Sequence, residues 1–159
     1  FRRFHGSSKG LNFCPSLLGV LSLRGIILFI INTTTLKKDI EDRSDIILLI
    51  NSFYERVRVN DKIGYIFTEI AKVDWEKHLP RMYSFWESIL LEDRGYSGNP
   101  MTVHIALSKI VPLRESEFDE WVILFTSTVD SLFEGPKAID AKTRATNIAR
   151  LMLHKIKTA

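Results

Sequence analysis

The chain has 159 residues, enough for one domain with a single core, and its 45% hydrophobic and 26% charged residues are typical of a globular protein. The net charge of +3 comes from scattered lysines and arginines, and no nucleic-acid motif accompanies them, which argues against nucleic acid as a partner. The single cysteine, Cys14, excludes an intramolecular disulfide and a cysteine-based zinc or iron–sulfur site, and it favours the reducing cytoplasm.

The first 38 residues differ in composition from the rest of the chain. Residues 1–10 are basic and rich in Gly and Ser, and residues 11–31 are apolar but contain Pro15 and Arg24. An arginine near the middle of a spanning helix costs about 2.5–3.5 kcal/mol, and no small-x-small cleavage site follows the apolar run. Three interpretations stay open: translation of DNA upstream of the true start, a membrane anchor, and a signal sequence or genuine extension. We expect residues 39–159 to form the folded domain and residues 1–38 to lie outside it. Contact with a membrane is expected only if residues 11–31 are part of the protein.

From Asp39 onward, apolar residues recur at helical spacing. The face of the first predicted helix carries Ile46, Ile50, Phe53, Tyr54 and Val57. The sequence KIGYIF at 62–67 is too short for a full helix and is predicted to be a turn that ends in the apolar Phe67.

A second helix is predicted to start at Asp74, a good N-cap residue. Pro80 lies inside this helix and is expected to kink it or to define a short first turn. The apolar face carries Trp75, His78, Leu79, Met82, Phe85, Trp86, Ile89 and Leu90.

Capping signals predict three further helices. Asn99 followed by Pro100 starts a short one. Ser116 with Asp119 resembles a capping box at the next start, and Gly135 ends that helix before Pro136 begins the last. The face of the last helix carries Ala138, Ala141, Ala145, Ile148, Ala149, Met152 and Ile156. No convincing strand follows, so the chain is predicted to be all-α, with four main helices and short connectors.

Four polar side chains stand on apolar helix faces or within the short helix: Tyr54, His78, His104 and Trp121. A buried polar group without a partner costs about 1–3 kcal/mol, so each needs one. Taken singly, each is more often a satisfied core residue than a ligand. Together they would place a phenol, two imidazoles and an indole N–H in one interior.

Several metal sites can be weighed against these residues. Zinc needs three or four close ligands, and a di-iron bundle needs inward Glu-x-x-His pairs; neither pattern occurs here on an apolar face. Haem asks less of the protein, namely one proximal histidine, an apolar slot and a distal pocket with suitable donors. Ten Phe, three Trp and four Tyr would suit such a slot, but composition alone leaves haem one possibility among several.

Six sequence blocks, in order and with similar spacing, carry a more specific signal. They are SFYERVR, IGYIF, DWEKHLPRMYSFWESILL, GYSGNPMTVHIAL, FDEWVILFTSTVDSLFEGPKA and AKTRATNIARLM. Over about residues 39–155 the chain resembles the group III (P-type) bacterial truncated haemoglobins. The H-x-P-x-x-x-x-F-W run and the G-N-P-M-x-x-H block are the most distinctive parts. The long N-terminal segment is foreign to that family, which favours the upstream-translation interpretation.

The resemblance implies a truncated globin at 39–159, a two-over-two helical sandwich around haem b. It implies that His104 is the proximal ligand of the iron. It also implies that Tyr54, His78 and Trp121 stand beside the bound ligand on the distal side, and that Phe67 wedges against the haem. Further cofactor contacts are implied for Arg81, near a propionate, and for Met82, Phe85 and Trp86 along the slot.

The implied ligands are O₂, NO and CO. Phenol O–H and indole N–H groups can donate hydrogen bonds to a bound ligand that carries partial negative charge. We therefore expect high oxygen affinity and slow release, at an iron that can be pentacoordinate. The alternative is a haem enzyme that dioxygenates nitric oxide or acts as a weak peroxidase, which needs an unidentified reductase or another electron donor. A helical interaction module without a cofactor is the bland alternative.

Overall fold

The computed structural model describes residues 36–92 and 95–159, and Leu36–Ala159 clusters as one unit. The predictions for residues 1–35, including those for Cys14, Pro15 and Arg24, lie outside the described residues. The boundary at 39 stays a prediction; the Lys38 carbonyl accepts a hydrogen bond from Glu134 N–H at 3.0 Å. Within the described ranges, no helix combines the length and the apolar character needed to cross a bilayer.

Five α-helices and one short π-helix make up the described part of the chain, which contains no strand. The elements are α1 (Arg43–Arg58), the π-helix (Ile66–Ile70), α2 (Trp75–Leu90), α3 (Pro100–Ser108), α4 (Glu115–Leu132) and α5 (Pro136–Lys157). The prediction of an all-α fold is confirmed.

Helix α1 forms because its sequence combines a strong cap with a continuous apolar face. The Asp42 carboxylate accepts hydrogen bonds from Ser44 N–H (2.8 Å) and Asp45 N–H (3.2 Å). The side chains predicted for the apolar face are all buried: Ile46, Ile50, Phe53, Tyr54 and Val57. This face packs against both α2 and α4, so it forms the centre of the core.

Helix α2 begins as predicted, since the Asp74 carboxylate accepts from Lys77 N–H at 3.3 Å. Pro80 stands inside the helix, which continues through it to Leu90. The turn predicted for KIGYIF is present at 62–63, but the chain then becomes helical and closes a π-helix from Ile66 to Ile70. A five-residue π-helix has too few positions to show a period in the sequence.

The predicted capping box at Ser116 and Asp119 is wrong. Helix α4 starts at Glu115, and the Glu117 carboxylate accepts a hydrogen bond from Arg114 N–H at 2.7 Å. Ser116 lies inside the first turn, where its hydroxyl donates to Glu117 at 3.0 Å. A glutamate at the third helical position caps the backbone as a Ser–Asp pair would, but two residues earlier.

Helix α5 starts after Gly135 with Pro136 at its first position, as predicted. Its N-terminus is capped from a distant part of the chain. The Asp39 carboxylate accepts hydrogen bonds from Lys137 N–H and Ala138 N–H, both at 2.9 Å. Gly135 has φ +146°, and a Cβ there would lie 2.5 Å from Asp39 Cγ, so glycine lets the carboxylate approach.

The helices form two packed pairs. Helix α1 packs on α2, and α4 packs on α5. The pairs are joined where α1 meets α4 and where α2 meets α5, while α3 lies against α5. This arrangement is two helices over two. Its interior contains an aromatic stack in which Phe125 lies between Trp86 (centroids 4.4 Å apart) and Trp121 (5.5 Å).

Candidate functional site

Tyr54 and His78 come from different helices and meet edge to face. Their ring centroids are 5.0 Å apart with the planes at 83°. Tyr54 is buried on α1, and burial raises the pKa of its phenol well above the ordinary value, so the group keeps its proton at neutral pH. No hydrogen bond to another described residue holds the Tyr54 hydroxyl, which leaves the O–H available as a donor.

The imidazole of His78 is an unusual group for a protein interior. Its Nε2 atom is buried and has no hydrogen-bond partner among the described residues. Burial lowers the pKa of His78 to about 4, and unfavourable electrostatic interactions with His104 and Arg81 add to the effect. The ring is therefore neutral at pH 7. A buried polar atom left without a partner requires an explanation, and a functional role of the side chain is one.

Trp121 on α4 is linked to Tyr54 by Phe53, whose ring contacts both. Its ring lies edge to face with Phe53, with centroids 5.4 Å apart, and Phe53 in turn contacts Tyr54 at 4.9 Å. The structure thus brings Tyr54 and His78 into direct contact and links Trp121 to them through Phe53. Trp121 is half-buried, and its indole N–H has no hydrogen bond to a described residue.

His104 lies on α3, which Asn99 caps by accepting from Met101 N–H (3.1 Å) and Thr102 N–H (3.4 Å). His104 Nδ1 is 2.7 Å from the Pro100 carbonyl oxygen. A carbonyl can only accept, so Nδ1 donates, and the neutral ring then has an unshared electron pair on Nε2. This tautomer is the one that a histidine needs to bind a metal through Nε2.

Helix α3 is apolar in sequence, yet none of its side chains is buried. It packs on α5, and His104 is half-buried. An apolar helix of this kind offers a surface that the protein interior does not cover. Across the described residues, no group of three or more His, Cys, Asp or Glu side chains is placed to hold a metal ion.

The remaining predicted contacts fall in different environments. Phe67 packs against Tyr54, with centroids 6.0 Å apart. Met82 and Phe85 are half-buried on α2, and Arg81 is exposed beside them. Trp86 is buried and stacked on Phe125, so its ring is part of the core. The structure does not test the cofactor contacts of these residues, which stay predictions.

A cleft of about 310 Å³ opens between α2 and α5. Phe85, Ile89 and Ile148 form its apolar lining, and Arg144 and Asn147 contribute the polar part. Phe85 is one of the residues predicted to line a haem slot. The cleft therefore extends an apolar surface from that position toward the last helix.

Trp75 was not among the predicted site residues, although it stands on the apolar face of α2. Its ring contacts Tyr54 (centroids 5.5 Å apart), His78 (5.8 Å) and Phe67 (6.3 Å, stacked). The Arg58 guanidinium lies 3.9 Å from the centroid of the Trp75 ring. The available signal was the spacing of Trp75 and His78, three residues apart on one helix, which puts both rings on one face.

No protein-family model matches the chain. It is 27% identical over 95 residues to a group 3 truncated hemoglobin of Campylobacter jejuni, a match that covers 58% of this chain and 72% of the relative. Its fold is similar to the crystal structure of a group III truncated hemoglobin from Campylobacter jejuni. The TM-score is 0.67 at 27% sequence identity, and the match covers 76% of this chain and 95% of that one.

Proposed function

We propose that this chain is a group III truncated haemoglobin that binds O₂ and other diatomic ligands reversibly at haem b, with high affinity and slow release, as its similarity to a group 3 truncated hemoglobin supports. The single observation that carries the proposal is the set of groups around Tyr54 and His78. It combines a protonated phenol, a neutral imidazole with a buried free nitrogen and, on α3, a histidine in the metal-binding tautomer.

The residues fit a haem group in kind. His104 would hold the iron through Nε2, because Nδ1 is already engaged by the Pro100 carbonyl. The uncovered apolar surface of α3 and the half-buried Met82 and Phe85 of α2 would line the two faces of the ring. Bound haem supplies an iron at which a diatomic ligand coordinates and acquires partial negative charge.

Tyr54 would provide one hydrogen-bond donor to such a ligand. Its phenol stays protonated because burial raises its pKa, and a hydrogen bond to a charged acceptor in a dry pocket is of the strong kind. Trp121 provides a second donor from α4. His78 is neutral at pH 7 and can accept or donate through Nε2. These three groups would slow ligand release by stabilising the bound state.

The test is the O₂ dissociation rate of Tyr54→Phe. A hydrogen bond to a charged group is worth about 1.5–3 kcal/mol, so the rate should rise about ten- to hundredfold. Tyr83→Phe is the matched control, since the Tyr83 hydroxyl donates to Asn51 and not to Tyr54 or His78. An unchanged rate in Tyr54→Phe, or an equal rise in Tyr83→Phe, would contradict the role of Tyr54.

His104→Ala tests the proximal assignment by absorption spectroscopy. We expect loss of haem or a changed coordination band, whereas His154→Ala, which removes an exposed histidine from α5, should keep the wild-type spectrum. The assignment fails if the His104→Ala protein shows the wild-type ferric and ferrous spectra.

A second candidate function is peroxide turnover, with a donor or reductase as partner. The observation that favours it is His78, whose ring is neutral at pH 7 and whose buried Nε2 has no partner among the described residues, so that the ring could accept a proton from hydrogen peroxide. Oxidation of a phenolic substrate by peroxide should then fall strongly in His78→Leu. Equal rates in the wild type and the variant would leave ligand binding as the better description. Nitric oxide dioxygenation would need the same kind of electron donor.

A further inference from the structure

Arg58 and Trp75 lie at two helix ends next to Tyr54 and His78, which we call the distal pair. Arg58 is the last residue of α1 and stands four residues after Tyr54, and Trp75 is the first residue of α2 and stands three before His78. These spacings put each pair on one helix face. The four side chains therefore form two contacting pairs between α1 and α2. Tyr54–His78 is the inner pair, and Arg58–Trp75 is the outer pair.

No hydrogen bond between described residues holds the inner pair. His78 Nε2 has no partner among the described residues, and no hydrogen bond between described residues holds the Tyr54 hydroxyl. The orientation of the His78 ring must then come from packing. Two rings supply that packing edge to face: Tyr54 at 5.0 Å and 83°, and Trp75 at 5.8 Å and 89°.

A cation–π contact holds the outer pair together. The Arg58 guanidinium lies 3.9 Å from the Trp75 centroid, well within the range of about 6 Å over which such contacts attract. Arg58 is exposed and Trp75 is half-buried. The contact therefore covers the solvent side of the ring that packs on the distal pair.

We propose that Trp75 is a positioning residue that fixes the His78 ring against Tyr54, and that Arg58 holds Trp75 in place through its charge. The inference rests on the proposed function, because it assigns these two residues to the control of ligand access at the same pocket. Loss of either contact should let His78 occupy more than one orientation.

The C–O stretching band of the ferrous CO complex reports the orientation of the His78 ring, because the band depends on the distal groups beside the ligand. Wild-type protein should give one main band. Trp75→Leu should split or broaden it and speed CO association, while Trp75→Phe should keep the band because it retains an aromatic ring. Arg58→Met should raise the fraction of displaced His78 about threefold, the size expected for loss of an exposed cation–π contact, and Arg58→Lys should restore most of the wild-type behaviour.

Lys62→Met is the matched control for charge. It removes one exposed cation from the same connection, and Lys62 pairs with Glu120 at 2.8 Å, away from Trp75. A band and association rate in Trp75→Leu equal to those of the wild type would overturn the role of Trp75. The role of Arg58 is overturned if Arg58→Met behaves like Lys62→Met.

The proposed function and this inference can fail separately. Wild-type protein without a haem spectrum would refute the proposed function. The NMR resonances of the His78 ring would still decide the inference, since in the apoprotein they are shifted by the neighbouring rings of Tyr54 and Trp75. Trp75→Leu should move those resonances and broaden them, and unchanged resonances would overturn the proposal.

Discussion

Asp39 connects the start of the described fold to its last helix, and Asp39→Ala should weaken the whole structure. Its carboxylate accepts from Lys137 N–H and Ala138 N–H, each at 2.9 Å, and from Ile40 N–H at 2.8 Å. Ala138 is only 2% exposed, so its N–H would be left without a partner away from water.

Two effects set the size of the loss. Replacement of an N-cap side chain by alanine typically costs about 1 kcal/mol. A buried donor left without an acceptor costs about 1–3 kcal/mol. The two overlap, because the same N–H groups enter both, so we expect a decrease of about 2 kcal/mol in the free energy of unfolding.

Urea unfolding followed by circular dichroism at the helix band measures this. With a slope of about 2 kcal/mol/M, the midpoint should fall by about 1 M without a change in slope. Asp140→Ala is the matched control, as Asp140 forms an exposed ion pair with Arg144 on the same helix (2.7 Å), a contact worth about 0.5 kcal/mol or less. Equal midpoints for the two variants would refute the reasoning.

Three further results are expected. On its own, desolvation of the Asp39 carboxyl would raise its pKa, but the backbone hydrogen bonds outweigh it and lower the pKa below the ordinary 3.8. The stability difference between wild type and Asp39→Ala should therefore be constant from neutral pH down to about 5 and shrink as pH falls through the folded value, as urea titrations at several pH values will show. Gly135→Ala should cost about 1–3 kcal/mol through its positive φ, and less in an Asp39→Ala background, where the clashing carboxylate is gone; a double-mutant cycle measures the coupling. Asn99→Ala removes the cap of α3 and should speed haem loss to a scavenging globin about fivefold, equivalent to about 1 kcal/mol; an unchanged rate would argue against α3 as the haem-binding helix.

Features that depend on local pattern could be predicted from the sequence. The buried face of α1, the caps at Asp74 and Asn99, and the break at Gly135 follow from residue type and spacing within a few positions. The resemblance of the quoted blocks then supplied the family, which the comparisons support.

Features that depend on distant contacts could not be predicted in the same way. Asp39 caps a helix 98 residues further along the chain, and Arg58 covers Trp75 across the π-helical connection. Neither pairing leaves a periodic trace in the sequence. The start of α4 was missed because Glu117 reaches back to Arg114, while Ser116 offers a more familiar signal two residues later.

Helix α3 has a consequence for how this protein acquires its cofactor. It spans nine residues, buries no side chain and packs on α5. A segment without a fully buried side chain should open at a lower free energy than α1 and α5, so its amides should exchange hydrogen faster than theirs. Haem that binds through His104 would select the ordered form, and each 1.4 kcal/mol needed to order α3 would lower the apparent haem affinity about tenfold. Substitutions along α3 that never touch the imidazole can thus set how much of the protein carries its cofactor.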